Sequence, residues 1–108
     1  MIKILFVCGM NKRRSPTAEK IYQGDERVSV RSAGVSDSGR QKLTEKNIAW
    51  ADLILVMEKK YKQRIRDRFR GMSLPQIEVL EIPDTYEYMD EELIELIKAS
   101  TEPYLQFQ

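Results

Sequence analysis

Two hydrophobic periods alternate along this chain, and they predict strands and helices in turn. Short apolar runs at 2–7, 28–31, 53–57 and 77–80 predict four β-strands, of which the most apolar, 53–57, should be central. Longer amphipathic stretches predict helices over about 16–23, 41–51 and 59–70, and a last helix from about Asp90. This alternation predicts an α/β fold, a three-layer sandwich with a four-stranded parallel sheet.

Local signals refine the ends and faces of these helices. Ser15 is a candidate N-cap with Pro16 at the first helical position, and Gly24 is expected to end that helix. Tyr61, Ile65 and Phe69 recur at every fourth residue, which predicts the buried stripe of the third helix. Asp90 is expected to cap the last helix.

Composition and length fit a single globular domain spanning residues 1–108. Hydrophobic residues make up 42% of the 108 residues and charged residues 32%, which is typical of a folded chain. No apolar run approaches the roughly 20 residues that a membrane-spanning helix needs, so no membrane association is expected. The start of the chain is a predicted strand, and a cytoplasmic location is expected.

The segment from Cys8 to Pro16 is where the chemistry is predicted. It follows the first strand and leads into the first helix, so its backbone N–H groups should gather around one point, with the helix dipole behind them. Such a point binds an anion, and the same N–H groups would stabilise a thiolate at Cys8. A buried, inert cysteine is the alternative interpretation.

Arg14 stands six residues after Cys8, at the other end of the same loop. Its planar guanidinium can hold two phosphate oxygens at once. The spacing Cys-x5-Arg therefore predicts a nucleophile, a bidentate clamp, and between them the phosphate-binding amides of Gly9, Met10, Asn11, Lys12 and Arg13. Ser15 follows directly and is expected to donate its hydroxyl to the sulfur.

A thiolate that cleaves a phosphate ester also needs an acid to protonate the leaving oxygen. The chain has one cysteine and no histidine, which excludes a disulfide within the chain, a Ser-His-Asp triad and a Cys-His pair. A carboxylic acid must then supply the proton, and Asp84, in the loop after the fourth strand, is the candidate. An ordinary turn aspartate is the alternative, and Asp90 is a weaker candidate because capping already explains it.

Charge is distributed unevenly although the net charge is only +1. Residues 1–77 hold 17 of the 18 basic and 8 of the 17 acidic residues, so the first part is about +9 and the rest about −8. Much of the excess lies in the basic helix predicted at 59–70. A solvated helix face is one interpretation, and a surface for a polyanionic substrate or nucleic acid is the other.

With these residues in view, the chain resembles the low-molecular-weight protein tyrosine phosphatases, in particular a short bacterial branch. The resemblance lies in Leu5–Cys8, Asn11, 14–19, 32–34, 51–57 and 84–86. It implies that Cys8 is the nucleophile, Arg14 the phosphate clamp and Asp84 the acid and later the base. It further implies that Asn11, Ser15 and Ser32 hold the loop in shape and that no metal or cofactor is used. The expected substrates are a phosphorylated protein or a small aryl phosphate.

Several departures from the family pattern concern the substrate pocket. Met10 stands where a glycine is usual, Arg13 where many members have a second cysteine, and Thr85 where a proline usually follows the aspartate. The variable loop after Ser32-Ala33-Gly34 is short, which leaves Tyr86 as the expected pocket wall. Three alternatives stay open: a thiol-coupled arsenate reductase, a phosphocysteine carrier, and a non-catalytic phosphate- or RNA-binding module.

Overall fold

The computed structural model describes residues 1–106 of the chain. Within these residues, four strands and four helices alternate in the order β1 (Ile2–Cys8), α1 (Arg14–Tyr22), β2 (Val28–Gly34), α2 (Glu45–Trp50), β3 (Leu53–Val56), α3 (Lys59–Arg68), β4 (Gln76–Val79) and α4 (Glu91–Leu105). Residues 107–108 of the predicted domain lie outside the described part, and the single-domain assignment stays a prediction.

All strand pairs of the sheet are parallel, in the spatial order β2-β1-β3-β4. The apolar residues of β1 from Ile4 onward and those of β3 are buried because these strands occupy the middle of the sheet. The prediction of a central strand at 53–57 is therefore confirmed, as is the α/β sandwich with a four-stranded parallel sheet.

Helices cover both faces of the sheet, as right-handed crossovers require. The chain moves from β1 to β2 in one direction and from β2 to β3 and β4 in the other, which puts α1 on one face and α2 and α3 on the opposite face. Helix α4 packs beside α1, and the ring of Phe6 on β1 stacks with that of Tyr22 on α1, with centroids 6.1 Å apart. The loops after β1, β2 and β4 consequently meet at the carboxyl edge of the sheet.

Two predicted elements have different bounds in the structure. Strand β2 continues through Ser32, Ala33 and Gly34, because these small residues pair with the end of β1. Residues 41–43, predicted as helix, are not helical: Lys42 bridges to Gly34, and α2 begins only after Thr44, whose side chain accepts a hydrogen bond from Asn47 N.

The prediction that Ser15 caps α1 is wrong. The helix begins two residues earlier than predicted, at Arg14, and Ser15 is completely buried, with its hydroxyl against the sulfur of Cys8. The other caps are as expected: Gly24 has a φ of +83° just after α1, and Asp90 Oδ1 accepts a hydrogen bond from Glu92 N at the start of α4.

Helix α3 buries Tyr61 and Ile65, with Phe69 at its end, which confirms the predicted apolar stripe. Most of its basic side chains are exposed, so a role for this surface in polyanion binding stays a prediction. Across residues 1–106, no helix is long and apolar enough to cross a membrane.

Candidate active site

Cys8 ends the buried strand β1, and Arg14 begins α1, so the loop between them (the 8–14 loop) lies at the carboxyl edge of the sheet. A cavity of about 270 Å³ opens above this loop. Its walls bring the predicted nucleophile, clamp and acid together; they are Cys8, Gly9, Met10, Lys12, Arg13, Arg14, Tyr61 and Asp84.

The 8–14 loop takes its shape from the residues that follow β2. In this supporting segment (35–40), backbone N–H groups donate to successive carbonyls of the loop: Val35 to Cys8 at 3.0 Å, Ser36 to Gly9 at 2.9 Å and Arg40 to Met10 at 2.9 Å. The side chain of Arg40 adds a bond from Nε to Asn11 O at 3.2 Å. The carbonyls of four consecutive loop residues thus accept hydrogen bonds from the supporting segment.

Two glycines allow the backbones to approach this closely. A Cβ at Gly39 would lie 2.7 Å from Met10 O, and a Cβ at Gly34 would lie 2.7 Å from Gly9 O. Real Cβ atoms do not approach backbone oxygens so closely, so these positions require glycine. The Gly- and Ser-containing stretch after β2, read from sequence only as a loop, therefore determines the conformation of the 8–14 loop.

Asn11 fixes the loop from within. It has a left-handed backbone with φ of +54°, which asparagine tolerates better than most residues, and it is completely buried. Its Nδ2 donates to Ser15 Oγ at 2.8 Å and to Ser32 Oγ at 3.0 Å, and Ser32 Oγ donates to Glu19 Oε1 at 2.6 Å. The structure thus brings together Asn11, Ser15 and Ser32, the three residues expected to hold the loop.

The sulfur of Cys8 has two hydrogen-bond contacts suited to a thiolate. Asn11 N donates to it at 3.2 Å, and Ser15 Oγ lies 2.9 Å away. Among residues 1–106, the amides of Gly9, Met10, Lys12 and Arg13 donate no hydrogen bond, and all four residues line the cavity. An anion in front of the sulfur would find these donors.

The guanidinium of Arg14 is held by three groups. Its Nη1 donates to Glu58 Oε2 at 2.7 Å and to Ile82 O at 2.6 Å, and its Nη2 donates to the Tyr61 hydroxyl at 3.0 Å. The Nε–H and the second hydrogen on Nη2 remain as a two-pronged edge. That edge is the geometry with which an arginine binds two oxygens of one phosphate.

The charges around Arg14 support one another. Burial on its own raises the pKa of Glu58, but hydrogen bonds from Arg14 and Tyr61 outweigh it and hold the pKa below the usual value. Burial likewise lowers the pKa of Arg14, and the bond to Glu58 with the nearby Tyr61 and Asp84 raises it above the usual value. Glu58 therefore stays ionised beside a charged arginine.

Asp84 lies at the rim of the cavity, with its side chain 57% exposed and Oδ1 3.6 Å from Arg14 Nε. Asp90, the weaker candidate, caps α4 instead and does not line the cavity. Tyr86 does not line it either, contrary to the prediction of a pocket wall: its hydroxyl donates to Glu92 Oε1, and the aromatic ring at the cavity is that of Tyr61.

Sequence reasoning missed Glu58, Tyr61 and the supporting segment. Tyr61 was predicted to be buried, but only as part of an apolar stripe, and Glu58 is one of several charges around the start of α3. The available signal was position, since both residues follow directly on β3 at the carboxyl edge of the sheet. No cluster of three or more His, Cys, Asp or Glu side chains suited to a metal ion occurs within residues 1–106.

Solved structures match this chain over nearly its whole length. A low-molecular-weight protein tyrosine phosphatase from Streptococcus pyogenes is 19% identical to this chain and superposes on it with a TM-score of 0.80. The match covers 97% of this chain and 91% of the phosphatase. The chain has the low-molecular-weight phosphatase fold. The tyrosine phosphatase Wzb from Escherichia coli K30, solved with phosphate, has the same fold at 21% identity, 98% coverage of both chains and a TM-score of 0.69.

A third example of the low-molecular-weight phosphatase fold is a cysteine-to-serine variant of the arginine phosphatase YwlE, solved with a phosphorylated active-site serine. It is 25% identical, covers 98% of both chains and has a TM-score of 0.68. No family model and no curated protein matches the sequence. The resemblance read from the sequence is thus confirmed at the level of the fold.

Proposed function

We propose that this protein is a cysteine-dependent phosphatase that acts on phosphorylated proteins, with phosphotyrosine as the first substrate to test. The observation that carries the proposal is the arrangement of one cavity: a hydrogen-bonded sulfur at Cys8, unused backbone amides, and a two-pronged edge of Arg14. Each of these groups is suited to a different part of a phosphoryl group in transfer.

In the first half-reaction, the thiolate of Cys8 attacks phosphorus. The sulfur–phosphorus bond forms as the bond to the leaving oxygen breaks, and Asp84 in its acid form protonates that oxygen. The loop amides and Arg14 hold the three equatorial oxygens while charge shifts. Ser15 donates to the sulfur and stabilises it as a leaving group for the second step.

In the second half-reaction, the Asp84 carboxylate takes a proton from water, and the water oxygen attacks phosphorus. The sulfur–phosphorus bond breaks, phosphate is released, and Cys8 returns to the thiolate. The similar proteins support both the anion site and covalent transfer, since Wzb was solved with phosphate and the YwlE variant with a phosphorylated serine. They also make phosphoarginine a second substrate worth testing.

The test is the hydrolysis of 4-nitrophenyl phosphate and phenyl phosphate by the wild type and by Cys8→Ser, Asp84→Asn and Asp90→Asn. Cys8→Ser should lower kcat by a factor of at least about 10⁴, since it removes the nucleophile. Asp84→Asn should lower kcat by about 10²–10⁴ with phenyl phosphate and by less with 4-nitrophenyl phosphate, whose leaving oxygen needs little protonation.

Asp90→Asn is the matched control, because asparagine caps a helix about as well as aspartate. It should hydrolyse both substrates like the wild type. If Asp90→Asn and not Asp84→Asn shows the leaving-group effect, the acid is misassigned. If the wild type binds phosphate without turning over any aryl phosphate, phosphotyrosine or phosphoarginine peptide, the site is a receptor or carrier rather than a phosphatase.

A further inference from the structure

A second cavity lies beside the candidate active site. It has a volume of about 380 Å³ and is lined by Lys12, Pro16, Arg40 and Tyr88. Lys12 lines both cavities, so the two are adjacent across this one side chain. A molecule with its phosphate above Cys8 would extend into the second cavity when it passes Lys12.

The two cations of this second cavity have no carboxylate partner among residues 1–106. Lys12 makes no ion pair there, and the one bond from the Arg40 side chain goes from Nε to Asn11 O. Asp37, the acidic residue of the supporting segment, pairs instead with Lys42 and Arg68. Positive charge is therefore concentrated here without compensation.

Arg40 is also fixed in place. Its backbone N–H donates to Met10 O and its Nε to Asn11 O, so the backbone and the guanidinium of Arg40 are each tied to the 8–14 loop by one hydrogen bond. The Nη donors are left to receive a ligand. A fixed guanidinium loses little side-chain freedom on binding an anion, which favours affinity.

Tyr88 also lines this cavity and is 50% exposed. The next residue, Met89, has a φ of +63°, and its N–H donates at 2.9 Å to the hydroxyl of Thr17 on α1. This bond anchors the loop that carries Tyr88 to the helix that begins at Arg14. Tyr88 thus lines the cavity from a held backbone rather than from an unanchored loop.

We infer that this cavity is a subsite for a second anionic group, and that the preferred substrate is a polypeptide with an acidic side chain one or two residues from the phosphorylated one. The inference rests on the proposed phosphatase function and adds substrate selection to it. Arg40 and Lys12 would bind the second anion while Tyr88 covers its aliphatic stem.

The experiment compares three phosphotyrosine peptides that differ only at the neighbouring position, which carries Glu, Gln or phosphoserine. The measured quantity is the ratio of kcat/KM for each acidic peptide to that for the Gln peptide. Wild type should favour the Glu peptide by about five-fold, as expected for one partly exposed ion pair, and the preference should fall as salt is added.

Arg40→Gln and Lys12→Gln should each bring this ratio down towards one, and Arg40→Lys should restore part of it. This ratio reports on the subsite alone, because any effect on the 8–14 loop itself changes kcat/KM for the acidic peptide and for the Gln peptide by the same factor. Lys98→Gln, which removes the same charge from α4, is the control and should keep the wild-type ratio. A larger preference for the phosphoserine peptide would identify the natural second group as a phosphate rather than a carboxylate.

Failure of this inference is distinguishable from failure of the proposed function. If aryl phosphates are hydrolysed but all three peptides give equal kcat/KM, or if Arg40→Gln leaves the preference intact, the subsite is refuted and the phosphatase stands. If nothing is hydrolysed, the dissociation constants of the three labelled peptides are measured on Cys8→Ser, and their ratios replace those of kcat/KM. Equal affinities would then refute the subsite as well.

Discussion

The phosphate-binding geometry of the proposed site depends on how Arg14 is held. A free arginine side chain samples many rotamers, and each one that turns the guanidinium away from the cavity is lost to catalysis. Here Glu58, Ile82 and Tyr61 take three of its five N–H donors and orient the remaining edge. Tyr61 also donates to Glu58 at 2.9 Å, which joins the two holding groups to each other.

Tyr61→Phe should therefore weaken phosphate binding without unfolding the protein. The substitution keeps the buried ring in the α3 stripe and removes one bond to Arg14 and one to Glu58. We expect kcat/KM for 4-nitrophenyl phosphate to fall about ten-fold and the inhibition constant of inorganic phosphate to rise by a similar factor. Tyr86→Phe removes a hydroxyl that contacts Glu92 outside the cavity and should change neither. If Tyr61→Phe has a lower Tm but an unchanged phosphate affinity, the role of Tyr61 is only structural.

At the scale of elements, the supporting segment and the 8–14 loop act as one unit. Their four hydrogen bonds turn consecutive carbonyls of the loop to one side, which leaves the amides between them for a ligand. Three of the four bonds join backbone to backbone, and the contact has no room for a side chain at Gly39. The conformation of the site is thus determined largely by a segment that supplies no wall of the first cavity.

Gly39→Ala should reduce activity more than stability. Its Cβ would meet Met10 O at 2.7 Å, and separating the two backbones costs the bond from Arg40 N to Met10 O. We expect kcat/KM to fall about 10- to 100-fold, because small misplacements at a reacting centre have effects of that size. Gly71→Ala, with nothing within 4 Å of the new methyl group, is the matched control and should match the wild type in kinetics. Equal kinetics for both variants would show that the loop holds its shape without this contact.

The elements themselves could be predicted because their signals are local. Apolar runs gave the strands, the Tyr61, Ile65 and Phe69 spacing gave the buried face of α3, and Asp90 gave the start of α4. The contacts that shape the site join residues far apart in sequence, such as Arg14 with Glu58 and Met10 with Arg40. No periodicity encodes such pairs. Ser15 was misread as a cap because its hydroxyl is used by Cys8 and Asn11 instead of the helix N-terminus.

At the scale of the whole molecule, α4 closes the face of the sheet that carries α1. Near its end, Glu102 accepts hydrogen bonds from the Tyr22 hydroxyl at 2.9 Å and from Arg27 at 2.8 Å and 3.1 Å. Tyr22 lies on α1 and Arg27 just before β2, so one carboxylate joins three parts of the chain. The hydrogen bonds from Arg27 and Tyr22 hold the pKa of Glu102 below its ordinary value of 4.5 although burial opposes this.

The stability that Glu102 contributes should therefore depend on pH with a definite sign. A carboxyl whose pKa is lowered by folding stabilises the folded state above its ordinary pKa, and this contribution is lost as pH falls below about 4.5. Glu102→Gln should lower Tm by about 2–4 °C at pH 7, a modest effect because the carboxylate is partly exposed. The difference from wild type should shrink steadily between pH 5 and pH 3 in thermal melts followed by circular dichroism. Glu95→Gln, an exposed residue of α4 without an ion pair in the described chain, should show no such trend, and a constant gap for Glu102→Gln would mean that packing rather than charge joins α4 to α1.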